Sequence, residues 1–449
     1  MRVLLVSPNR FTEPYPVYPL GLDYVAGALA PNHLVRIADM NAVGDWDSLG
    51  EIIRVFSPEV IGISLRNIDN TDSTDPKVFV EEYREATSVI RRNSDALLVC
   101  GGSGFTIFAK QILDIVEADY GIIGEGERFA LLLEAIENRK DTTSIPGVIT
   151  RHSRNGIPDA WNKKLVRDFH KSYSHLRFYL ENGGMLNLQT KRGCNLRCIY
   201  CSYPYIEGRN LRLISPEEVA ETALELQQVG AKYFYVTDSV FNSDPPHSIG
   251  VARALKRAGV TIPWGAFFAP TRPPDDYFRI MADAGLTHVE FGTESLSDTM
   301  LSSYRKPFLL DHVFDAHEAA VDAGLHVAHY FLLGGPGETS DTLDETFSSA
   351  TELKKAVLFF FCGMRIYPHT ELYDIAIREG KISRSRDLLE PVFYRANSID
   401  KDEIVSLVQK QARDRPNWVI GSGGEQTARV LSIMYERGRS GPLWEHLIR

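Results

Sequence analysis

Short apolar runs and helically spaced segments alternate twice along this chain, and that alternation restricts it to folds built on parallel sheets. In the first series Val3–Ser7, Val35–Asp39, Val60–Ser64, Ala96–Cys100 and Tyr120–Ile123 read as strands. Pro19–Leu29, Ser48–Phe56, Val78–Asn93, Lys110–Glu117 and Glu127–Asn138 carry the spacing of helices. Strands joined through helices lie parallel, and a parallel sheet needs helices on both faces. Residues 1–140 are therefore expected to form a doubly wound α/β domain. Residues 141–180 are polar and lack a sustained period, and they read as a linker with space for a short hairpin.

The second series begins near Met185. Its candidate strands are Leu186–Thr190, Tyr233–Thr237, Trp264–Phe268, His288–Phe291, Val327–Leu333 and Leu358–Ile366. Helical segments such as Pro216–Val229, Ser248–Ala258, Asp275–Ala284, Leu310–Ala323 and Thr339–Leu353 fill the gaps. Six strands with intervening helices predict a partial (β/α)6 barrel over 181–375. Residues 376–449 are expected to be a small, mostly helical region that closes the barrel mouth and shapes a substrate pocket. Arg395, Trp418 and Tyr435 are candidates there, although ordinary core or surface roles are the leading reading of each.

The 449 residues carry a formal net charge of −10, which argues against nucleic acid as a partner. No apolar run approaches the ~20 residues that cross a bilayer, so no transmembrane segment is expected. The apolar start ends at Pro8-Asn9-Arg10 without a small-residue cleavage site, and a buried first strand is expected in place of a signal peptide. A cytoplasmic protein is the resulting expectation.

Of five cysteines, three fall within eight residues, in Arg192-Gly193-Cys194-Asn195-Leu196-Arg197-Cys198-Ile199-Tyr200-Cys201. A disulfide framework disperses its cysteines to staple distant loops, so this cluster points to a metal. Iron–sulfur clusters are held by thiolates, normally four, and three ligands leave one iron open for a substrate or cofactor. Cys100 ends a strand and Cys362 lies in an apolar run, and neither reads as a fourth ligand. Zinc and structural thiols are the rival readings. Zinc wants His or carboxylate nearby, and the only His between 171 and 246 is His175.

The spacing Cys-x3-Cys-x2-Cys, with Tyr200 before the last Cys, resembles the signature of the radical S-adenosylmethionine (SAM) superfamily. The resemblance covers roughly residues 185–375. It implies a [4Fe–4S] cluster on Cys194, Cys198 and Cys201, with SAM chelating the open iron. Reductive cleavage of SAM would then give methionine and a 5′-deoxyadenosyl radical that takes a substrate hydrogen. Thr237-Asp238-Ser239 resembles the acidic motif after the family's second strand. Gly292-Thr293-Glu294-Ser295 resembles the segment that meets the ribose and carboxylate, and Lys306 stands where relatives often carry Lys. Gly334-Gly335-Pro336-Gly337 resembles the motif that lets backbone approach adenine. Tyr367-Pro368-His369-Thr370 matches a Tyr-Pro-Gly-Thr pattern with His369 in place of Gly. The SAM-binding candidates are thus Tyr200, Asp238, Gly292, Glu294, Lys306, Gly334, Gly335 and Gly337. Each has a plainer reading: a helix-capping turn for Gly334–Thr339, a strand-end turn for Asp238, an N-cap neighbour for Glu294. Their order after successive strands favours the functional one.

The first domain resembles the cobalamin-binding domain that precedes many radical SAM barrels. The resemblance rests on Tyr18-Pro19-Leu20-Gly21-Leu22, Val60–Ser64, Gly101-Gly102-Ser103-Gly104 and Gly124-Glu125-Gly126-Glu127. Ligands of open parallel sheets bind at the carboxyl ends of the strands. The cobalamin-binding candidates are therefore Leu20, Gly21, Ser64, Arg66, Asn67, Gly101, Gly102, Ser103, Gly104, Gly124, Glu125, Gly126 and Glu127. No Asp-x-His-x-x-Gly follows the first strand, which implies a cobalt without a protein His ligand, and His33 reads as a surface-turn residue. A flavodoxin-like scaffold for packing or another nucleotide is the alternative.

Together the resemblances imply a cobalamin-dependent radical SAM enzyme that methylates an unactivated carbon of a small-molecule or lipid-type substrate. One SAM would methylate cob(I)alamin and a second would generate the radical. An electron donor such as flavodoxin or ferredoxin is implied. The alternatives are a radical cyclisation or rearrangement without net methyl transfer, and a non-catalytic cobalamin sensor.

Overall fold

The computed structural model describes residues 1–30, 32–152, 156–169 and 174–448, the side chains of 425 and 426 apart. Segments 153–155 and 170–173 of the expected linker lie outside the described residues. The first sheet contains β1 (Arg2–Ser7), β2 (Leu34–Asp39), β3 (Val60–Ser64), β4 (Leu97–Gly101), β5 (Tyr120–Ile122) and β6 (Val148–Ile149), in the order β2-β1-β3-β4-β5-β6. The first five run parallel, and β6 closes the edge antiparallel to β5. That edge strand comes from the stretch read as linker, so the sheet extends past residue 140. Alternate residues of β1 feed two separate cores. Leu4 and Val6 pack on one face with Ile61 and Ile63, whereas Val3 and Leu5 pack on the other with Leu22 and Phe129. This is the period-2 signature of a strand covered on both sides.

The second sheet contains β7 (Met185–Leu188), then a two-residue hairpin of β8 (Lys191–Arg192) and β9 (Arg212–Leu213) that encloses the cysteine loop. The sheet continues with β10 (Tyr233–Val236), β11 (Trp264–Phe268), β12 (Leu286–Glu294), β13 (His326–Leu333) and β14 (Ala356–Cys362). A minor antiparallel pair, β15 (Met364–Arg365) and β16 (Phe393–Tyr394), follows β14. A further parallel strand, β17 (Trp418–Ile420), pairs with β14, giving the order β17-β14-β13-β12-β11-β10-β7. The six expected strands form the barrel wall. The seventh comes from the tail, which is otherwise mostly helical, with helices Lys401–Ala412 and Gly424–Glu436; Trp418 is a wall residue whose ring lies 5.0 Å from that of Phe360. Tyr435 is likewise structural, its hydroxyl donating to the Gly441 carbonyl at 3.0 Å.

On β11, Trp264, Ala266 and Phe268 face the outer helices. Gly265 and Phe267 therefore face the lumen, where Phe267 lies 5.5 Å from Tyr235 and 5.7 Å from Tyr330, ring to ring. The chain's last segment closes this lumen. Trp444 Nε1 donates to Glu290 Oε1 at 3.0 Å, and His288 Nε2 lies 3.0 Å from Glu445. His288 and Glu290 stand near the start of β12, so the tail seals the amino end of the barrel. The end of the tail is thus a floor, while its earlier part reaches the mouth: a Cβ on Gly334 would lie 3.1 Å from Ile404 Cδ1, and Lys401 Nζ donates to the Ser73 carbonyl at 3.2 Å. Among the described residues no helix is long and apolar enough to cross a membrane.

The floor predicts its own test. Trp444 is 6% exposed and packs with Phe359 and Val419. Trp444→Ala is expected to cost about 3–5 kcal/mol, read as a lower urea midpoint, because the cavity adds to the lost transfer energy and Glu290 loses a donor.

Candidate functional site

The cysteine loop is fastened by backbone to three other elements. Cys194 N–H donates to the Gly208 carbonyl at 3.1 Å, Ile199 N–H to the Tyr304 carbonyl at 3.3 Å, and Leu372 N–H to the Ile199 carbonyl at 2.8 Å. Gly193 has φ of +89°, and a Cβ there would lie 2.3 Å from the Asn210 carbonyl oxygen, so only glycine fits between the hairpin strands. Cys194 is buried and Cys198 and Cys201 are partly buried. Burial pushes the Cys201 thiol up to about 12, with the charges of Cys198 and Cys194 adding to it, and raises Cys198 as well. Such thiols stay protonated at neutral pH unless a cation takes the proton's place, which is the chemistry of a thiolate metal site. Among the described residues no three His, Cys, Asp or Glu gather tightly enough for a single ion. An iron–sulfur cube places each thiolate on its own iron and accepts the wider spacing. Cys100 and Cys362 are free and buried elsewhere in the fold.

Beside this loop, Tyr200, Glu294 and Lys306 form one group. Glu294 ends β12 with φ of +60°. Its Oε1 accepts from the Tyr200 hydroxyl and from Lys306 Nζ at 2.9 Å. Its Oε2 is buried without a partner among the described residues. Burial alone would lower the Lys306 ammonium, but the Glu294 carboxylate and then Cys198 hold it above its ordinary value. A Cβ on Gly292 would stand 3.4 Å from that carboxylate. The glycine motif lies after β13, with φ of +88° at Gly334 and +90° at Gly337. Much of it is spent internally. Gly334 N–H donates to Glu338 at 3.1 Å, Gly335 N–H to the Tyr304 hydroxyl at 3.2 Å, and Thr339 caps the helix Ser340–Ala350.

Asp238 is engaged within the chain. Its Oδ1 accepts from Thr190 N–H at 2.8 Å and Lys191 N–H at 3.4 Å, and its Oδ2 from the Thr190 hydroxyl at 2.5 Å and Lys191 Nζ at 2.8 Å. All four acceptor positions are taken. Asp238 fastens the start of the cysteine hairpin.

A cavity of about 630 Å³ lies along the carboxyl edge of the first sheet. Its wall includes every cobalamin candidate: Leu20, Gly21, Ser64, Arg66, Asn67, Gly101–Gly104 and Gly124–Glu127. At Gly102, φ is +107° and a Cβ would lie 2.6 Å from the Leu65 carbonyl oxygen, so the wall there is bare backbone. The facing wall comes from the barrel, with Asn187, Gln189, Arg192, Tyr203, Thr237 and Tyr367. Sequence reasoning missed Asn187, Gln189 and Tyr203, and placed Arg192, Thr237 and Tyr367 in motifs without bringing them to this cavity. The available signal was the polar residues Asn187 and Gln189 interrupting an apolar strand. Two candidates do more than line the wall: Glu125 and Glu127 give their carboxylates to Arg192 and Arg212. His33 sits at the opposite edge, before β2, within 3.4 Å of the amino terminus.

The family model of the radical SAM superfamily matches residues 188–350, and that of the B12 binding domain matches residues 9–133. The chain is a radical SAM enzyme with a B12-binding domain. The cofactors of this enzyme are a [4Fe–4S] cluster, SAM and cobalamin. Similar proteins include a cytidylyl-2-hydroxyethylphosphonate methyltransferase of Streptomyces wedmorensis, 24% identical over 92% of this chain and 89% of that one. A tryptophan 2-C-methyltransferase of Streptomyces laurentii is 23% identical over 82% of this chain and 73% of that one. The solved structure of the radical SAM methyltransferase TsrM from Kitasatospora setae shares the fold, with a TM-score of 0.87, 21% identity and coverage of 99% of this chain and 97% of that one.

The radical SAM barrel thus rests on a buried pair that can be broken. Asp238→Asn leaves the Lys191 ammonium, 1% exposed, facing a neutral amide. We expect a loss of about 3–5 kcal/mol, with iron and sulfide uptake falling in parallel. Weaker SAM binding at unchanged stability would instead return Asp238 to the cofactor site.

Proposed function

We propose that this radical SAM enzyme methylates an unactivated carbon of a small-molecule substrate held between the first sheet's cavity and the barrel mouth. One observation carries the reading: the cavity wall is shared between the first sheet's glycine loops and the lumen-facing residues Asn187, Gln189 and Thr237. The cradle then opens beside the cysteine loop, whose flanking residues Arg192, Ser202 and Tyr203 also line it. The names of the two Streptomyces relatives, each a methyltransferase, support methylation over cyclisation.

In this reading Cys194, Cys198 and Cys201 hold the cluster, and Glu294, fixed by Lys306 and Tyr200, receives polar groups of SAM through its open Oε2. Gly292, Gly334, Gly335 and Gly337 keep side chains away from that cofactor. Arg66 and Asn67, on the loop after β3, with Ser64 and the Gly101–Gly104 loop, seat cobalamin. The bound groups supply reductive cleavage of SAM and a methyl carrier, chemistry that no side chain provides. The protein's own share is to orient them and exclude water from the radical. The closed floor at Trp444 leaves the mouth as the way in. An external one-electron donor of the flavodoxin or ferredoxin class belongs to this reading. Arg197 and Arg209, exposed on the cysteine loop of a chain with net charge −10, offer an acidic donor a local landing place. A reducing cytoplasm suits the free thiols.

Anaerobic turnover with methyl-labelled SAM tests the proposal. We expect label in the product, deoxyadenosine formed alongside it, and loss of both, with loss of bound iron, in Cys198→Ala. Deoxyadenosine and a modified substrate without label would mean cyclisation or rearrangement. No deoxyadenosine with any reductant would leave a cobalamin-binding sensor.

A further inference from the structure

Two arginines stand directly opposite each other at the base of the cysteine hairpin: Arg192 on β8 pairs across the ladder with Arg212 on β9. Like charges facing across a strand pair repel, and against that the hairpin has two ladder pairs, the Cys194 bond to Gly208 and Arg212 Nη2 donating to the Glu207 carbonyl at 2.6 Å. The hairpin's own acid does not neutralise them by contact, because Glu207 accepts from Gly193 N–H at 3.0 Å. The neutralising charge comes from the other sheet. Glu125 Oε1 accepts from Arg192 Nη1 at 2.9 Å and from Arg212 Nη1 at 2.6 Å, bridging both. Glu127 Oε1 stands 2.7 Å from Arg192 Nη2. The side chains of Arg192, Glu125 and Glu127 are 8%, 8% and 4% exposed and that of Arg212 is 22%, so water screens the repulsion only in part if the acids move away.

Glu125 also belongs to the loop Gly124–Glu127, which walls the cavity assigned to cobalamin. We propose that Glu125 is a positioning residue that couples the cofactor cradle to the cysteine hairpin: filling the cradle fixes the Gly124–Glu127 loop, and the fixed loop holds the hairpin's two arginines together. The inference rests on the proposed function in one respect, that the hairpin carries the cluster. Coupling of this kind is reciprocal, so cobalamin orders the hairpin and the assembled cluster tightens cobalamin.

Hydrogen exchange on the full-length anaerobic protein, with and without hydroxocobalamin, reads the coupling directly on residues 191–213. The wild type is expected to slow exchange there by about fivefold or more on binding, the lower end of usual coupling between sites. Glu125→Gln keeps the shape of the side chain and removes its charge. At hydroxocobalamin concentrations that saturate it, followed by visible absorption, it is expected to show less than about a twofold response in the hairpin. Glu125→Gln combined with Arg212→Gln removes the repulsion as well. This double variant is expected to recover slow exchange without cobalamin but not the response to it, a pattern that a merely stabilising contact does not give. It also serves if the single variant fails to fold. A cluster EPR spectrum that shifts on cobalamin addition in wild type and not in Glu125→Gln would agree. A slowing of hairpin exchange on cobalamin addition as large as the wild type's in either variant, or no hairpin response in wild type, overturns the proposal. Failure of the wild type to take up iron overturns the cluster assignment instead and leaves the exchange result readable.

Discussion

Charge withdrawn from water fixes how the two sheets meet, and the signs are segregated. The loops and helix that follow strands of the first sheet contribute acids: Asp23 after β1, Asp69 after β3, Glu125 and Glu127 after β5. The linker and barrel contribute arginines. Arg167 Nε lies 2.8 Å from Asp23, Arg365 Nε 2.9 Å from Asp69, and Arg192 and Arg212 share Glu125. An apolar contact between two domains tolerates sliding and rotation. A buried ion pair does not, because an arginine left without its acid costs several kcal/mol. Three such junctions, one after each of three strands of one sheet edge, set position and tilt together. The cavity between them inherits its shape from that constraint.

The barrel uses the same economy of position. Lys191 and Asp238 are each 1% exposed and are set on neighbouring elements at the carboxyl end of the wall. Their pairing fixes the direction in which the chain leaves Thr190 toward the cysteines. At the other end of the lumen, Glu290 accepts from Trp444 and from the Tyr330 hydroxyl at 3.0 Å. One end of the barrel is thus built of ions and backbone that orient a reactive loop, the other of aromatic rings that exclude water. A chamber for radical chemistry needs both properties, and the strand direction keeps them apart.

What the sequence made legible follows from the range of each interaction. Apolar runs bounded by Gly or Pro marked the long strands, because both signals are local. β6 and β17 went unread because two or three residues are too short to display a period, and each forms only through its partner strand. The cysteine loop was legible for the same reason as the long strands: its spacing lies within one turn of chain. The pairing of Asp238 went unread because an acid at a strand end looks the same whether it faces a ligand or a lysine. Its partner Lys191 is 47 residues away. Arg192 was invisible on the same ground, its carboxylate Glu125 being 67 residues distant in another sheet. Buried polar groups are satisfied at long range here, and one chain read alone holds no marker of who meets whom.

Glu294 shows why a residue of this kind is informative once its neighbours are known. A non-glycine residue at φ of +60° carries backbone strain of order 1–3 kcal/mol. Leaving Oε2 buried without a donor adds about 1–3 kcal/mol. Tyr200 and Lys306 hold the other oxygen and so fix the orientation that creates both costs. Relaxing the backbone would let the carboxylate turn to water. The surrounding residues prevent it, and Tyr200 is itself flanked by Ile199 and Cys201, whose backbone is tied down at Tyr304, Leu372 and Cys198. A carboxylate held in strain, one oxygen braced and the other kept free beside three thiols, is shaped for a donor that arrives from outside the chain. In the proposed function the ammonium or hydroxyls of SAM would be that donor.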